Sequence, residues 1–199
     1  MKYSNQLGLV YNSPIIYKIL MKILYGKHYS DRYKLIADRI KRGSSVLDVC
    51  CGDAELYKFL KKKGVKYLGV DINSRFISNN LKKGVPAKVL DIRKEEIPSF
   101  DYTVIQGSLY QFTEPKKIVN KLLKATNKYL IISEPIKNIS NMPLIKNALL
   151  DRILTMFVTT DDKSNFRFTN SSFRRLLEDY KPQFANLPGK REIVAVIIK

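Results

Sequence analysis

The sequence predicts an α/β protein: a doubly wound, mostly parallel seven-stranded sheet with helices on both faces and an N-terminal helical lid. From residue 46 onward, short β-rich runs alternate with segments of helical spacing, and glycines stand where several of those helices should stop. Parallel neighbours cannot be joined by a tight turn, so each intervening helix is read as a crossover on one face of the sheet.

Residues 1–45 read as two helices ahead of the sheet. Ile16, Ile19, Leu20, Ile23 and Leu24 form one apolar face opposite Lys18 and Lys22, and such a face is expected to pack on its own domain rather than on a membrane. A second helix is expected from about Ser30 to Lys41, ending at Gly43. The run 46–50 (VLDVC) is the first strand. Residues 53–63 follow as a helix, with Asp53 as N-cap, Leu56, Phe59 and Leu60 at helical spacing and Gly64 as the stop. The pattern repeats with a strand at 67–71 (YLGVD), a helix from Asn73 to about Lys83 closed by Gly84, and a strand at 87–91 (AKVLD). It continues with 101–106 (DYTVIQ), a helix capped by Thr113, and 128–133 (KYLIIS). After Glu134 the rhythm changes to an apolar helical insertion within about 140–160, a short helix near 171–180 and two final runs, 182–186 and 193–198. At 199 residues this is one domain, with 1–45 as a helical cap and 46–199 as the core.

Composition narrows the class. Hydrophobic content of 45% and charged content of 27% suit an ordinary globular protein, without repeats or low-complexity runs. No apolar run approaches the ~20 residues of a spanning helix and no secretory cleavage pattern is seen, which places the expected location in the cytoplasm. Cys50 and Cys51 are adjacent, with Cα atoms about 3.8 Å apart, inside the ~4.4 Å at which disulfide geometry begins. Two cysteines and one histidine are too few soft ligands for a zinc site, so no metal is expected. The formal net charge is +18, and its excess lies in the flanks: nine basic against two acidic residues in 1–45, eleven against eight in 46–112, sixteen against eight in 113–199. Those flanks would meet a polyanion such as RNA or an anionic membrane surface, or else are solvated lysine, since 26 of the 36 basic residues are Lys.

The chemistry is carried by acids. Asp48 lies inside the first strand, Asp71 closes the second and Asp91 closes the third, so their side chains are expected to converge on the binding edge of the sheet. Carboxylates repel a pyrophosphate but suit a ligand with a positive centre and hydroxyls, because charge-assisted bonds to carboxylate are the strong ones. S-adenosylmethionine fits: an ammonium, a sulfonium and a ribose, with no phosphate. A nicotinamide dehydrogenase is disfavoured by the missing phosphate-binding glycines.

At these residues the sequence resembles the class I S-adenosylmethionine-dependent methyltransferases, whose core is Rossmann-like. VLDVCCGDA is similar to the first motif of that family, GVDIN to the second, LDI at 90–92 to the third and FDYTVIQGSLYQF to the fourth. The VCCG form resembles the quinone C-methyltransferase branch. The glycine-rich G-x-G-x-G becomes Cys50, Gly52 and Ala54, a departure that would narrow the loop. The resemblance implies that Asp48 and the backbone of Cys50, Cys51 and Gly52 hold the methionine end. It implies that Asp71 receives the ribose hydroxyls, that Asp91 lies at the adenine amino group and that Ile72 and Ile92 pack on the adenine. Gln106, Gly107 and Ser108 would line the methionine side, and S-adenosylhomocysteine would be the product.

Methyl transfer is an in-line displacement governed by alignment, with a general base where the acceptor carries a proton. Tyr110, after the fourth strand, and His28, in YGKHYSDRY, are the candidates. QGSLYQF lacks the N/D-P-P-Y pattern of planar-amine methylation, and apolar helices beside the binding edge suggest a lid over a small-molecule or lipid-like acceptor. An RNA methyltransferase and a catalytically silent cofactor-binding module are the alternatives.

Overall fold

The first strand, β1 (Ser45–Val49), is a run in which side chains alternate between two buried faces. The computed structural model describes residues 13–136, 167–189 and 191–199. Within them β2 (Lys66–Asp71), β3 (Ala87–Val89), β4 (Phe100–Gln106), β5 (Thr126–Pro135), β6 (Gln183–Asn186) and β7 (Glu192–Ile198) complete a seven-stranded sheet in the order β3-β2-β1-β4-β5-β7-β6. Pairings from β3 to β5 are parallel, and β7 runs antiparallel to both of its neighbours. The chain reverses its winding between β1 and β4, which places the switch point, where ligands of open α/β sheets bind, at the carboxyl ends of those two strands.

Six α-helices stand among the described residues: α1 (Pro14–Tyr25), α2 (Asp31–Ala37), α3 (Glu55–Leu60), α4 (Ser74–Lys82), α5 (Pro115–Lys124) and α6 (Asn170–Leu177). On one face of the sheet Leu47, Val49, Ile105, Leu130 and Ile132 pack with Ile118, Val119 and Leu122 of α5 and Phe173 and Leu177 of α6. On the other, Val46, Val104, Ile131 and Val194 pack with Ile36 of α2, Leu56 and Leu60 of α3, and Tyr25 of α1. The strict alternation of Val46 against Leu47, or Ile131 against Ile132, is the period-2 geometry of a strand covered on both sides.

Several boundaries differ from the sequence reading. Helix α2 stops at Ala37 instead of Lys41, because Lys63 Nζ donates to the carbonyls of Ala37 and Ile40 at 2.5 and 3.1 Å and so satisfies the turn where the chain leaves the helix. Asp53 is not the N-cap of α3; that position is Ala54, in the left-handed region, with no side-chain cap. Nor does Thr113 cap α5, which starts from Glu114 with Pro115 in its first turn, where a missing N–H costs nothing. Strand β3 ends at Val89, so Asp91 stands just beyond it. The apolar face expected to pack inward on α1 is split: Ile16, Ile19 and Ile23, with Ile15 beside them, are exposed, whereas Leu20 and Leu24 are half-buried, Leu24 against the core, and Tyr17 and Tyr25 face the protein. The helix read over 144–158 lies outside the described residues. No described helix is long and apolar enough to cross a membrane.

Candidate functional site

Between β1 and α3 the chain turns through Cys50, Gly52 and Ala54, all at positive φ (55°, 51° and 52°). For the two non-glycines this conformation costs roughly 1–2 kcal/mol each, so the surroundings must impose it. They do. Cys51 N donates to Val70 O at 3.1 Å, Gly52 N to Asp71 Oδ2 at 2.9 Å and Ala54 N to Cys51 O at 2.8 Å, while Asn80 Nδ2 reaches Gly52 O at 2.8 Å. A thiol fills the space behind: a Cβ on Gly69 of β2 would stand 2.9 Å from Cys51 Sγ and 3.2 Å from the Tyr67 hydroxyl.

The acids of the first two motifs do meet here. Asp48 is buried under the loop and accepts a 2.7 Å hydrogen bond from Tyr67 Oη. Burial pushes its carboxyl up to about 7; the Tyr67 hydroxyl pulls it down, and the negative charge of Asp71 adds to the rise. Asp71 accepts from Gly52 N on one oxygen and from Asn73 N, at 2.8 Å, on the other; burial raises its pKa even so. Asp91 sits at the same edge but is engaged elsewhere. Its carboxylate takes Arg93 in a fork, with Nε and Nη2 at 2.9 and 3.1 Å, and this grip outweighs partial burial and holds it below its ordinary range. Ile72 is half-buried after β2, whereas Ile92 lies in the core cluster with Leu90. The thiols of Cys50 and Cys51 are pushed up by burial and by the adjacent acids, so neither is an activated nucleophile.

The strand-four loop is held from below by two glutamates absent from the sequence reading. Glu134 Oε1 accepts the backbone N–H groups of Ser108 and Leu109 at 2.9 and 2.7 Å, and burial pushes that carboxyl up to about 8. Glu192, wholly buried, accepts Gln106 Nε2 at 3.0 Å, Ser133 Oγ at 2.5 Å and Arg32 Nε at 3.0 Å. Gly107 has φ +61°, and a Cβ there would stand 3.4 Å from Arg32 Nη2, so α2 reaches directly onto the end of β4. Tyr110 lies beside this loop under the guanidinium of Arg167, 4.2 Å from the ring centroid.

His28 lies further along the same edge. Its Nδ1 pairs with Asp31 Oδ2 at 2.8 Å, and its ring packs against Gly189 in the β6–β7 turn, beside the carboxyl end of β5. The residue that does cover the loop is Tyr17 of α1, whose ring lies 3.8 Å from where a Cβ on Gly52 would be and meets Phe76 edge-on at 5.3 Å. Asp53, beside it, is buried with Oδ2 lacking a partner, and burial together with Glu55 pushes its carboxyl up to about 6. Asp91 and Glu55 are thus neutralised by Arg93 and by Lys18 and Lys58, whereas Asp48, Asp53 and Asp71 are desolvated and make no ion pair among the described residues, which suits a ligand that brings its own positive charge. No group of three or more His, Cys, Asp or Glu able to hold a metal occurs among the described residues.

Solved structures share this architecture. A chain of the complex between the Haloferax volcanii Trm112 methyltransferase activator and a methyltransferase superposes with a TM-score of 0.70 at 12% identity, over 95% of this chain and 96% of that one. Magnesium protoporphyrin IX methyltransferase from Synechocystis PCC 6803, with bound SAH, gives 0.65 at 16% identity, over 96% of both chains. A SAM-dependent methyltransferase from Aquifex aeolicus gives 0.63 at 17%, over 94% of this chain and 98% of that one. At these identities the likeness establishes the class I methyltransferase fold. No curated protein matches the chain. Residues 30–142 match the family model of the methionine biosynthesis protein MetW. That match takes in α2, the left-handed loop, both acids beneath it and the strand-four loop, and more than half of the chain; the protein belongs to the MetW family.

Proposed function

We propose that the protein is an S-adenosylmethionine-dependent methyltransferase acting on a small-molecule or lipid-like acceptor. The observation that carries the reading is the pair of buried acids, Asp48 and Asp71, behind the left-handed loop: Asp71 accepts from Gly52 N and helps to fix the loop, and Asp48 lies beneath it, held by the Tyr67 hydroxyl. An uncompensated anionic pocket at a sheet switch point favours a cation over a phosphate. When bound, the cofactor supplies an electrophilic methyl group on sulfonium.

The chain's own residues hold and orient. Asp48 and the backbone at Cys50, Cys51 and Gly52 take the methionine end, and Asp71 takes the ribose hydroxyls with the lone pairs its two backbone bonds leave free. Asp91 and the aliphatic Ile72 and Ile92 take the adenine side, Asp91 by exchanging or sharing its Arg93 contact. Gln106, Gly107 and Ser108 line the methionine side from β4. Tyr110 shapes the acceptor side and is the nearer candidate to accept a proton; His28, bonded to Asp31, is the second. Helix α1 serves as the lid, with Tyr17 over Gly52 excluding water from the loop. In this reading residues 1–199 form one domain.

Calorimetric titration of the intact protein with S-adenosylmethionine tests the reading, and absence of binding overturns it. Isotopically labelled cofactor with a metabolite extract, followed by mass spectrometry, then identifies the acceptor. Binding without transfer to any component would instead favour the silent module. The charge of +18 supports a second reading, an RNA methyltransferase; RNA binding that vanishes at physiological salt removes it.

A further inference from the structure

Helix α1 has two unlike faces. Tyr17 and Tyr25 turn inward, over Gly52 and into the core, whereas Ile15, Ile16, Ile19 and Ile23 turn outward at 72, 51, 54 and 70% exposure. At 3.6 residues per turn these four isoleucines fall within an arc of about 100°. Elsewhere among the described residues large exposed hydrophobics occur only singly, at Leu81, Val89 and Ile198. Isolated apolar residues need no explanation; a stripe of four on one short helix does.

We infer that the outer face of α1 is a docking surface for an anionic lipid bilayer. Lys18 and Lys22 border the stripe on one edge, Lys27 follows just past the end of the helix, and α1 itself contains no acidic residue. Of the acids beside it, Glu55 is paired with Lys18 and Lys58, Asp31 is paired with His28 and Asp53 is buried, so the outward field is that of Lys22 and Lys27 and of a chain carrying +18. An aliphatic stripe edged by lysine is the composition of helices that lie in the plane of a membrane interface, apolar face down. A second copy of the chain is a poor occupant, because it brings the same lysines and the same net charge. A protein partner is also less suited, because the stripe offers none of the Trp, Tyr or Arg anchors on which protein interfaces concentrate their energy. Docking stands on this surface alone. If the methyltransferase reading also holds, the bilayer would lie one helix thickness, about 10 Å, from the Gly52 loop, close enough for a lipid-like acceptor to reach the site without crossing water.

The experiment is co-sedimentation of the intact protein with vesicles of phosphatidylcholine alone and of phosphatidylcholine with phosphatidylglycerol. The protein is expected to sediment with the anionic vesicles, to stay in solution with the neutral ones, and to be released as salt is raised. The surface substitutions Ile16→Glu and Ile19→Glu should each weaken vesicle binding on the order of tenfold, and Lys22→Glu severalfold, with unchanged melting temperatures and unchanged S-adenosylmethionine titrations. Failure to bind anionic vesicles overturns the inference, as does equal binding by wild type and the isoleucine variants. A dimer in light scattering that the isoleucine variants dissolve also overturns it, in favour of self-association. Calorimetry of the cofactor reports separately on the methyltransferase reading, so the two can fail independently.

Discussion

Single residues set the site by being buried more than their chemistry favours. Asp48 rises to about 7 mainly through burial, so near neutrality it is partly protonated. A bound cation favours the carboxylate; binding should therefore release a proton, and affinity for S-adenosylmethionine should rise about tenfold per pH unit up to 7 and then level off. Calorimetry in buffers of different ionisation enthalpy measures this, and Asp48→Asn should abolish the pH dependence while weakening binding. Glu134 carries the opposite consequence for folding. Its folded pKa, about 8, lies above the ordinary carboxyl value, so its contribution to stability is complete below about pH 4.5 and is lost as pH rises towards 8. Glu134→Gln should flatten that decline, worth roughly 2–4 kcal/mol, in denaturant titrations at pH 5 and pH 8. Gly69 is fixed by contact: Gly69→Ala puts a methyl 2.9 Å from Cys51 Sγ and should cost about 1–3 kcal/mol, part of it recovered in the double variant with Cys51→Ala. Asp48, Asp71 and the loop were legible in the sequence because motif spacing places them. Tyr67, Glu134, Glu192 and Arg32 were not, because each acts through a partner on another strand or helix.

At the scale of elements, the sheet and the helices of its core were readable and their ends were not. Alternation and glycine stops located every strand and the helices between them, since both signals are local. Ends are decided by whichever donor satisfies the last carbonyls, and for α2 that donor is Lys63, 26 residues away from Ala37. Lys63→Met should therefore cost about 1–2 kcal/mol in thermal unfolding, more than an exposed lysine elsewhere on the surface. The orientation of α1 was misread for a related reason. Its isoleucine stripe is the stronger periodic signal, but Tyr17 and Tyr25 have partners in Phe76, Arg32 and the core that no pattern within the helix reveals.

For the whole molecule, net charge and burial act in opposite directions. Thirty-six basic residues against eighteen acidic ones make the folded chain repel itself, and most of its ion pairs are at least partly exposed and individually weak. The Arg32–Glu192 pair, buried between α2 and β7, is beyond the reach of salt. Screening should then relieve more repulsion than attraction, so the melting temperature should rise by on the order of a few °C from low to physiological ionic strength; a fall would show that surface pairs dominate. Taken alone, the sequence determined the order of strands and helices, the acidic rim and the excess of positive charge, all of which depend on residue type and on near neighbours along the chain. Only the tertiary structure decided which acids share a pocket, which face of α1 meets water and which buried glutamates carry the strand-four loop, because burial and long-range pairing exist only once the sheet has brought distant segments together.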